Sequence, residues 1–352
     1  MQDVCCLQRG FSLGYHSPST DVQVLDITDH AYEHRGVVFK TLNGLCKSSG
    51  VLVGIPIIPS IKNLAFVASG GFGEIFKGHT EDGDLVAIKT IRFFTKQDNP
   101  EGQKSFRTEI LLYRQVRHRH ILPLIGITDP EFSRSSAQMV IPWKANGNLL
   151  EYVKRVESPP LTVNRLKILV GVCSALCYLH SHVPVVVHGD LKCANVLVDD
   201  DGTPLLADFG LSTVRYHGAS LSSAQNAGTL RWMAPELLTG NPPKISRETD
   251  AWSFGMLALE IFTGQSPYSD KCDYNVTLSR AQGELPKRPS GHHIVQLGLN
   301  QELWTQLRQL WSFSPEKRPK FTDLAPILDR LEARWSPPSP TPTPQKYIVS
   351  SH

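Results

Sequence analysis

The motif that most constrains this chain is HGDLKCAN at residues 188–195, in which an acid stands five positions before an amide with a lysine between them. Thirteen residues after Asn195 the chain reads DFG, which places a second acid, Asp208, shortly behind the first motif. Three further carboxylates, in the run DDDG at 199–202, are typical of a solvated turn rather than of a metal site. Any fold that uses these polar groups together must bring the two motifs to one place.

The side chains of these two motifs are those that phosphoryl transfer requires. Asp190 can accept a proton from a substrate hydroxyl, and Lys192 can neutralise charge that builds up on a transferred phosphoryl group. Asn195 and Asp208 supply hard oxygen ligands suited to magnesium. Asp190, Lys192 and Asn195 are therefore the candidate catalytic residues, and Asn195 and Asp208 are the candidate metal ligands.

A glycine-rich turn, VASGGFGEIF at 67–76, lies between two predicted strands. Glycines there let backbone amides approach phosphate oxygens, although a structural hairpin has the same pattern. The run VAIK follows at 86–89, and the strand period places Ala87 and Lys89 on one face, towards an apolar environment. A charge in that position needs a partner or a ligand.

The helix predicted at about 101–117 offers such a partner. One apolar stripe of this helix is formed by Phe106, Ile110, Tyr113 and Val116. Glu109 lies in the stripe, and without further information it would be interpreted as a solvated residue at the edge of the stripe. Because Lys89 points inward and a buried carboxylate is costly without a partner, an ion pair of Glu109 with Lys89 is favoured.

The pattern along the chain divides it into three parts. Residues 1–59 form an extension with one amphipathic helix at about 29–47, followed by a linker that Pro56 and Pro59 mark. Residues 60–334 begin with strands and continue with long helices, and residues 335–352 form a flexible proline-rich tail. Long helical segments are predicted at 162–182, 249–263, 301–312 and 322–334.

Composition excludes several classes of protein. The chain of 352 residues has 36 Lys and Arg against 33 Asp and Glu, and this small excess does not favour nucleic-acid binding. Seven cysteines without a CxxC pair indicate a reduced protein, in the cytoplasm or alternatively the nucleus. We expect no membrane contact, because the apolar run at 51–59 is too short and too broken to span a bilayer. No feature specifies an oligomeric state.

Along the chain the order is the glycine-rich turn, VAIK, the helix acid Glu109, HGDLKCAN and DFG. Motifs in this order resemble those of the protein kinase family. The set continues with APE at 234–236, DAWSFG at 250–255 and Arg318, and the resemblance covers about residues 60–334. It implies an α+β, bilobal fold, with a small five-stranded antiparallel N-terminal lobe that carries one helix and a larger, mostly helical C-terminal lobe. It also implies ATP and Mg²⁺ as cofactors and a protein substrate as partner.

The resemblance also assigns roles to residues of the nucleotide site. It implies that the phosphates lie under Gly70, Gly71, Phe72 and Gly73, and that the adenine lies between Val67, Ile75 and Ala87. Lys89 would hold the α- and β-phosphates while pairing with Glu109, and Lys192 would contact the γ-phosphate. It implies a hinge of Pro142, Trp143 and Lys144, with Ile141 at the back pocket. Asn148 would reach the ribose, Glu236 would pair with Arg318, and Asp250 would support the catalytic loop.

Three positions depart from the family pattern. Ala68 stands at the first glycine of the loop, which implies a stiffer loop that still binds nucleotide. Pro142 removes a hinge donor but leaves its carbonyl for the adenine amino group. Gly189 replaces the usual arginine, so a phosphate on the activation segment would find no cation at that point, unless another, such as Arg215, serves instead.

The phrases GTLRWMAPELL and DAWSFGMLALEIFTG are similar to the tyrosine-kinase-like branch of serine/threonine kinases, and VVHGDLKCANVLVDDDGTPLLADFGL is similar to such kinases in mushroom-forming fungi. The resemblance implies transfer to Ser or Thr, which Lys192 and Thr229 favour, with dual specificity as an alternative. A second alternative is an ATP-binding pseudokinase scaffold. Catalysis is favoured over it, because scaffolds commonly lack one or more of the residues Lys89, Glu109, Asp190, Asn195 and Asp208.

Overall fold

A computed structural model of the chain describes residues 55–70, 73–92, 110–111, 113–128, 136–156, 162–182, 185–208, 229–239 and 245–338. Outside these ranges lie the predicted helix at 29–47, Gly71, Phe72, Glu109 and the tail after residue 338. The roles assigned to them stay predictions.

The first sheet is five-stranded and antiparallel, with the strand order β1-β2-β3-β5-β4. Its strands are β1 (Lys62–Gly70), β2 (Gly73–His79), β3 (Leu85–Arg92), β4 (Gly126–Ile127) and β5 (Ser136–Pro142). Branched and aromatic side chains favour these strands, because they fit a pleated and partly buried surface. The predicted sheet is confirmed.

The middle of this sheet has two distinct apolar faces. On the face of Ala87, the side chains of Met139 and Ile141 join the main hydrophobic core. Lys89 lies on the same face, in register with Met139, as the strand period predicts. The opposite face carries a separate cluster of Val86, Ile88 and Val140.

The residues just before β1, here called the edge segment (55–61), complete the sheet. Ile58 donates its N–H to the carbonyl of Ile127 at 2.8 Å, and Ile127 donates to the carbonyl of Pro56 at 3.0 Å. This close pairing requires Gly126, because a Cβ there would lie 2.3 Å from the Pro56 oxygen. The stretch predicted as a linker is therefore bonded to β4, and the domain boundary at residue 59 stays a prediction.

The rest of the described chain is mostly helical. Its helices are α1 (Leu149–Val156), α2 (Arg165–Ser181), α3 (Pro235–Thr239), α4 (Arg247–Thr263), α5 (Asp273–Ala281), α6 (His292–Gln296), α7 (Gln301–Leu310) and α8 (Phe321–Ala333). This agrees with a helical C-terminal lobe. Within the part of the chain that the structure describes, no helix has the length and hydrophobicity that a bilayer crossing needs.

Two long helices, α2 and α4, form the centre of this lobe. Local signals set their ends: Asn164 accepts a hydrogen bond from the N–H of Lys167 at the start of α2, and Ser246 forms a capping box with Thr249 at the start of α4. Gly264 ends α4 in the left-handed conformation, with φ of 66°. Most of α4 is buried all round, so its few polar side chains must find partners inside the protein.

The edge segment generates a stability prediction. We expect Ile58→Ala and Ile61→Ala each to cost about 1–2 kcal/mol, because both partly buried side chains pack on the cluster of Val86, Ile88 and Val140. The matched control is Ile57→Ala, since the Ile57 side chain is 50% exposed and its loss should change Tm little. Thermal melting checks this, and equal Tm values for the three variants would contradict the role of the segment.

Candidate active site

A small two-stranded sheet brings the two acidic motifs together. Its strands, β6 (Val196–Val198) and β7 (Pro204–Leu206), are antiparallel and are joined by the DDDG turn, where Gly202 has φ of 82°. Asn195 immediately precedes β6, and its carbonyl accepts the N–H of Ala207 at 2.9 Å. Asp208 therefore lies beside the end of the catalytic loop.

The loop of residues 188–195, here called the catalytic loop, is held through its backbone by a carboxylate from α4. Asp250 is fully buried and accepts the N–H groups of His188 and Gly189, each at 2.8 Å. Its Oδ2 also lies 2.8 Å from Nε2 of His180. The predicted supporting position of Asp250 is confirmed by these contacts.

His188 links the loop to the strand that leads to Asp208. Its Nδ1 accepts the N–H of Asp190 at 3.1 Å, so its Nε2 carries the proton and donates to the carbonyl of Ala207 at 2.9 Å. The ring is fully buried. This side chain therefore fixes the spacing between the two motifs.

The Asp190 carboxylate is nearly buried and surrounded by polar groups. Asn195 donates from Nδ2 to its Oδ2 at 2.8 Å, and Lys192 Nζ lies 3.2 Å from the same oxygen. Lys192 also donates to Oγ1 of Thr229 at 2.8 Å. The structure thus brings together the predicted catalytic residues and the Thr named with them, while their roles stay predictions.

The sheet contributes a cation to this cluster. Lys89 Nζ on β3 lies 2.5 Å from Oδ1 of Asp208, and the lysine is buried. Asp208 has φ of 61°, in the left-handed region. This conformation costs a residue with a Cβ about 1–2 kcal/mol, and such strained residues cluster at functional sites. Among the described residues the ion partner of Lys89 is Asp208, and its predicted pair with Glu109 lies outside them.

The donor set at this point fits a magnesium ion. The Nδ2 amide of Asn195 donates hydrogen bonds to the carboxylate and to the backbone carbonyl of Asp190. Its amide oxygen and the Asp208 carboxylate are hard oxygen donors. The described residues hold no group of three or more His, Cys, Asp or Glu side chains placed for a metal. A site with two protein ligands suits magnesium, which keeps several waters and binds phosphate oxygens.

Apolar side chains of the sheet line the predicted adenine position. Ala87 on β3 is directly opposite Ile141 on β5, and both are nearly buried. Ile75 on β2 is in register with both Ala68 and Lys89, next to the half-exposed Val67. The described members of the predicted pocket therefore lie on adjacent strands.

The predicted hinge begins at Pro142, the last residue of β5, and its contact with a nucleotide stays a prediction. Trp143 donates its N–H to the carbonyl of Leu85 at 3.1 Å, which ties it to β3. The side chain of Lys144 bonds to Asp199 at 2.8 Å, so only its backbone remains for a nucleotide. Asn148, predicted near the ribose, accepts the N–H of Glu151 and caps α1, and its contact with the ribose stays a prediction.

The predicted pair of Glu236 and Arg318 is confirmed. The guanidinium donates to both carboxylate oxygens, at 2.6 and 2.8 Å. The Arg318 side chain is fully buried, whereas that of Glu236 is 28% exposed. Arg318 also donates to the carbonyls of Ser312 and Glu248. The arginine is therefore the buried member of the pair.

The sequence reasoning missed a buried carboxylate on α4. Glu260 accepts the N–H of Cys193 and the indole N–H of Trp232, both at 2.9 Å. Burial raises its pKa and raises that of the Cys193 thiol well above its usual range. A lone acid inside the apolar run GMLALEIF was the available signal. Cys193 itself is fully buried, as expected for a small hydrophobic residue.

Comparison with known proteins agrees with this geometry. The profile of the family "Protein tyrosine and serine/threonine kinase" matches residues 61–328. The Arabidopsis thaliana serine/threonine-protein kinase STY46 is 28% identical over 77% of this chain and 45% of its own length. The LRR receptor kinase SERK2 of Oryza sativa subsp. japonica is 31% identical over 76% of this chain and 46% of its own. The chain spans less than half of each of these relatives.

The buried arginine generates a prediction. We expect Arg318→Ala to destabilise the protein by about 2–4 kcal/mol, because it leaves a cavity and several acceptors without their donor. The matched control is Arg330→Ala, which removes an exposed pair with Glu302 and should cost under about 1 kcal/mol. Denaturant unfolding measures both, and equal losses would contradict the bracing role of Arg318.

Proposed function

The chain belongs to the protein kinase family, and on that premise we propose that it transfers the γ-phosphoryl group of ATP to serine or threonine hydroxyls of protein substrates. The observation that carries the proposal is the Asp190 carboxylate, which is contacted by both Asn195 and Lys192. A place in the tyrosine-kinase-like branch, a likeness to kinases of mushroom-forming fungi and a cytoplasmic location stay predictions from the sequence.

Asp190 orients the acceptor hydroxyl and takes its proton as the new bond to phosphorus forms. The amide of Asn195 holds the carboxylate in place, and Lys192 offsets negative charge beside it. Because the carboxylate is 4% exposed, its orientation is set by these contacts and not by solvent. This arrangement supports an in-line transfer to a hydroxyl placed next to Asp190.

The nucleotide would be held from the opposite side. Lys89 supplies the cation for the α- and β-phosphates, and Ala87 and Ile141 supply the apolar surface for the adenine. Asn195 and Asp208 would hold Mg²⁺, which neutralises phosphate charge when bound. The pairing of Lys89 with Asp208 keeps both charges in the site, where each has a role toward the phosphates.

Preference for serine or threonine rests on the contact between Lys192 and Thr229. Lys192 lies 3.2 Å from the base and donates to the Thr229 hydroxyl, so both groups border the side from which we propose that the acceptor enters. Tyrosine-specific relatives usually carry Ala and Arg in the catalytic loop instead. Dual specificity is the alternative, and a library that contains all three hydroxyl amino acids separates the two.

A pseudokinase scaffold is the competing function from another class. It would bind nucleotide without turnover. Four polar groups of the transfer site, Lys89, Asp190, Asn195 and Asp208, are present and lie in two directly bonded pairs, which supports catalysis over a scaffold. Incubating the purified chain with radiolabelled ATP and a degenerate peptide library tests the proposal, and nucleotide binding without any transfer would overturn it.

Asp190→Asn provides the sharpest test of the assigned base. We expect turnover to fall by at least about 10³-fold, because the amide cannot take the proton, while ATP affinity stays nearly unchanged. Turnover is measured with the best library peptide and affinity by calorimetry. Residual activity close to that of the parent would remove Asp190 from the mechanism.

We also propose that activity does not depend on phosphorylation of the activation segment, residues 211–233, of which residues 211–228 lie outside the described part of the chain. Gly189 has φ of 75° and donates its N–H to Asp250. The glycine suits this left-handed position and supplies no guanidinium at position 189. A phosphate needs a fixed guanidinium to order a segment, and none stands at this position.

Phosphatase treatment tests this independence. We expect treated protein to keep most of its activity, and a variant with Ala at Thr213, Ser220, Ser222 and Ser223 to behave like the parent. Thr229 is left unchanged, because it contacts Lys192 directly. A large loss of activity on dephosphorylation, restored by rephosphorylating one of these sites, would contradict the proposal.

A further inference from the structure

The turn that follows Thr229 is held almost entirely by side chains of other elements. It consists of one 3₁₀ turn, Leu230–Trp232, and the next residue, Met233. Arg280 donates to the carbonyls of residues 230, 231 and 233, and Ser253 donates to that of Trp232 at 2.9 Å. Each of the four carbonyl groups of residues 230–233 therefore accepts a side-chain hydrogen bond, and one guanidinium supplies three of them.

The surroundings of Arg280 make this attachment strong. The residue lies on α5 and is 2% exposed. Its guanidinium carbon lies 5.4 Å from the ring centroid of Tyr268 and 5.9 Å from that of Trp252. Three backbone carbonyls and two aromatic rings contact this cation, and the charge of the nearby Arg231 is the like charge that they offset. A buried guanidinium depends on such acceptors, so its position and that of the turn are coupled.

The same turn is attached to its neighbours by a second arginine. Arg231 donates to the carbonyls of Pro267, Tyr268 and Lys271, and pairs with Asp273 at 2.8 Å. These acceptors lie in the loop before α5 and at the start of that helix. The turn and the beginning of α5 are therefore joined in both directions.

The turn leads directly to the assigned base. Trp232 donates its N–H to the carbonyl of Thr229 at 3.0 Å, which closes the turn onto that residue. The Thr229 hydroxyl accepts from Lys192, and Lys192 contacts Asp190. A displacement of the turn would therefore move Thr229 and Lys192, without involving the adenine face of the sheet.

We propose that Arg280 is a positioning residue for the protein acceptor, which fixes the turn at 229–233 so that an incoming hydroxyl reaches Asp190. This inference rests on the proposed kinase function. Arg280 lies on α5, away from the strands that would hold the nucleotide, so its effect falls on the acceptor and not on ATP. It acts through the turn and through Thr229 rather than by contact with the reacting atoms.

Arg280→Lys tests the assignment, because lysine keeps the charge but cannot reach three carbonyls with one planar group. We expect KM for the best library peptide to rise by about tenfold, with KM for ATP within about twofold of the parent, since one or two charge-assisted hydrogen bonds are lost. Arg308→Lys, on the exposed side of α7, is the matched control and should change neither constant.

Hydrogen exchange supplies a readout that does not depend on turnover. The amides of Trp232 and Met233 are bonded inside the turn, to the carbonyls of Thr229 and Leu230. In Arg280→Lys we expect these amides to exchange about tenfold faster, whereas those of α4 stay protected. Unchanged exchange in the turn would show that Arg280 does not hold it.

Ser253→Ala keeps the test decisive if Arg280→Lys does not fold. It removes the fourth carbonyl bond with a minimal change of volume, and we expect a rise of about threefold in KM for the peptide alone. A parent chain without any transfer would overturn the proposed function and this inference together. If the parent is active but the folded Arg280→Lys variant has an unchanged KM for the peptide, this inference alone is overturned. Ser253→Ala takes its place in that comparison if Arg280→Lys does not fold.

Discussion

The geometry of the catalytic loop depends on the buried carboxylate of Asp250. A fully buried acid is tolerated only where its oxygens are bonded, and here they accept two backbone N–H groups of the loop and contact His180. Because α4 is buried and its Asp250 bonds two N–H groups of the loop, the loop takes its position from the helix. The left-handed backbone of Gly189 follows from this attachment, since both N–H groups must face one carboxylate.

The same helix positions a second region of the protein through residues of its next turns. Ser253 bonds to the turn after Thr229, and Glu260 bonds to both that turn and the catalytic loop. The base and the proposed acceptor turn are therefore attached to one buried element. Arg280 on α5 adds three hydrogen bonds to the carbonyls of this turn. These contacts give the acceptor side a rigid support that is independent of the strands around the adenine position.

Local sequence patterns predicted the strands and turns that carry the site better than they predicted which side chains contact each other there. The strand period of VAIK placed Lys89 on the face of Ala87, and the DDDG run was recognised as a turn. The contact of Lys144 with Asp199 was not predictable, because its partners lie far apart in sequence and an acidic turn is usually solvated. Arg280 gave no signal at all, since a basic residue near a helix end normally lies in solvent.

The sequence by itself determined the strands, the long helices, and the order of residues whose chemistry suits phosphoryl transfer, because periodicity, turn residues and motif spacing are local properties. Only the tertiary structure decided that Lys89 meets Asp208 and that Lys144 meets Asp199. It also decided how deeply the predicted pair lies, with Arg318 fully buried and Glu236 partly exposed. It also decided that the edge segment covers one face of the sheet. Such pairings depend on burial, which desolvates polar groups and makes each bond necessary, and burial is set by the whole fold rather than by neighbours in the chain.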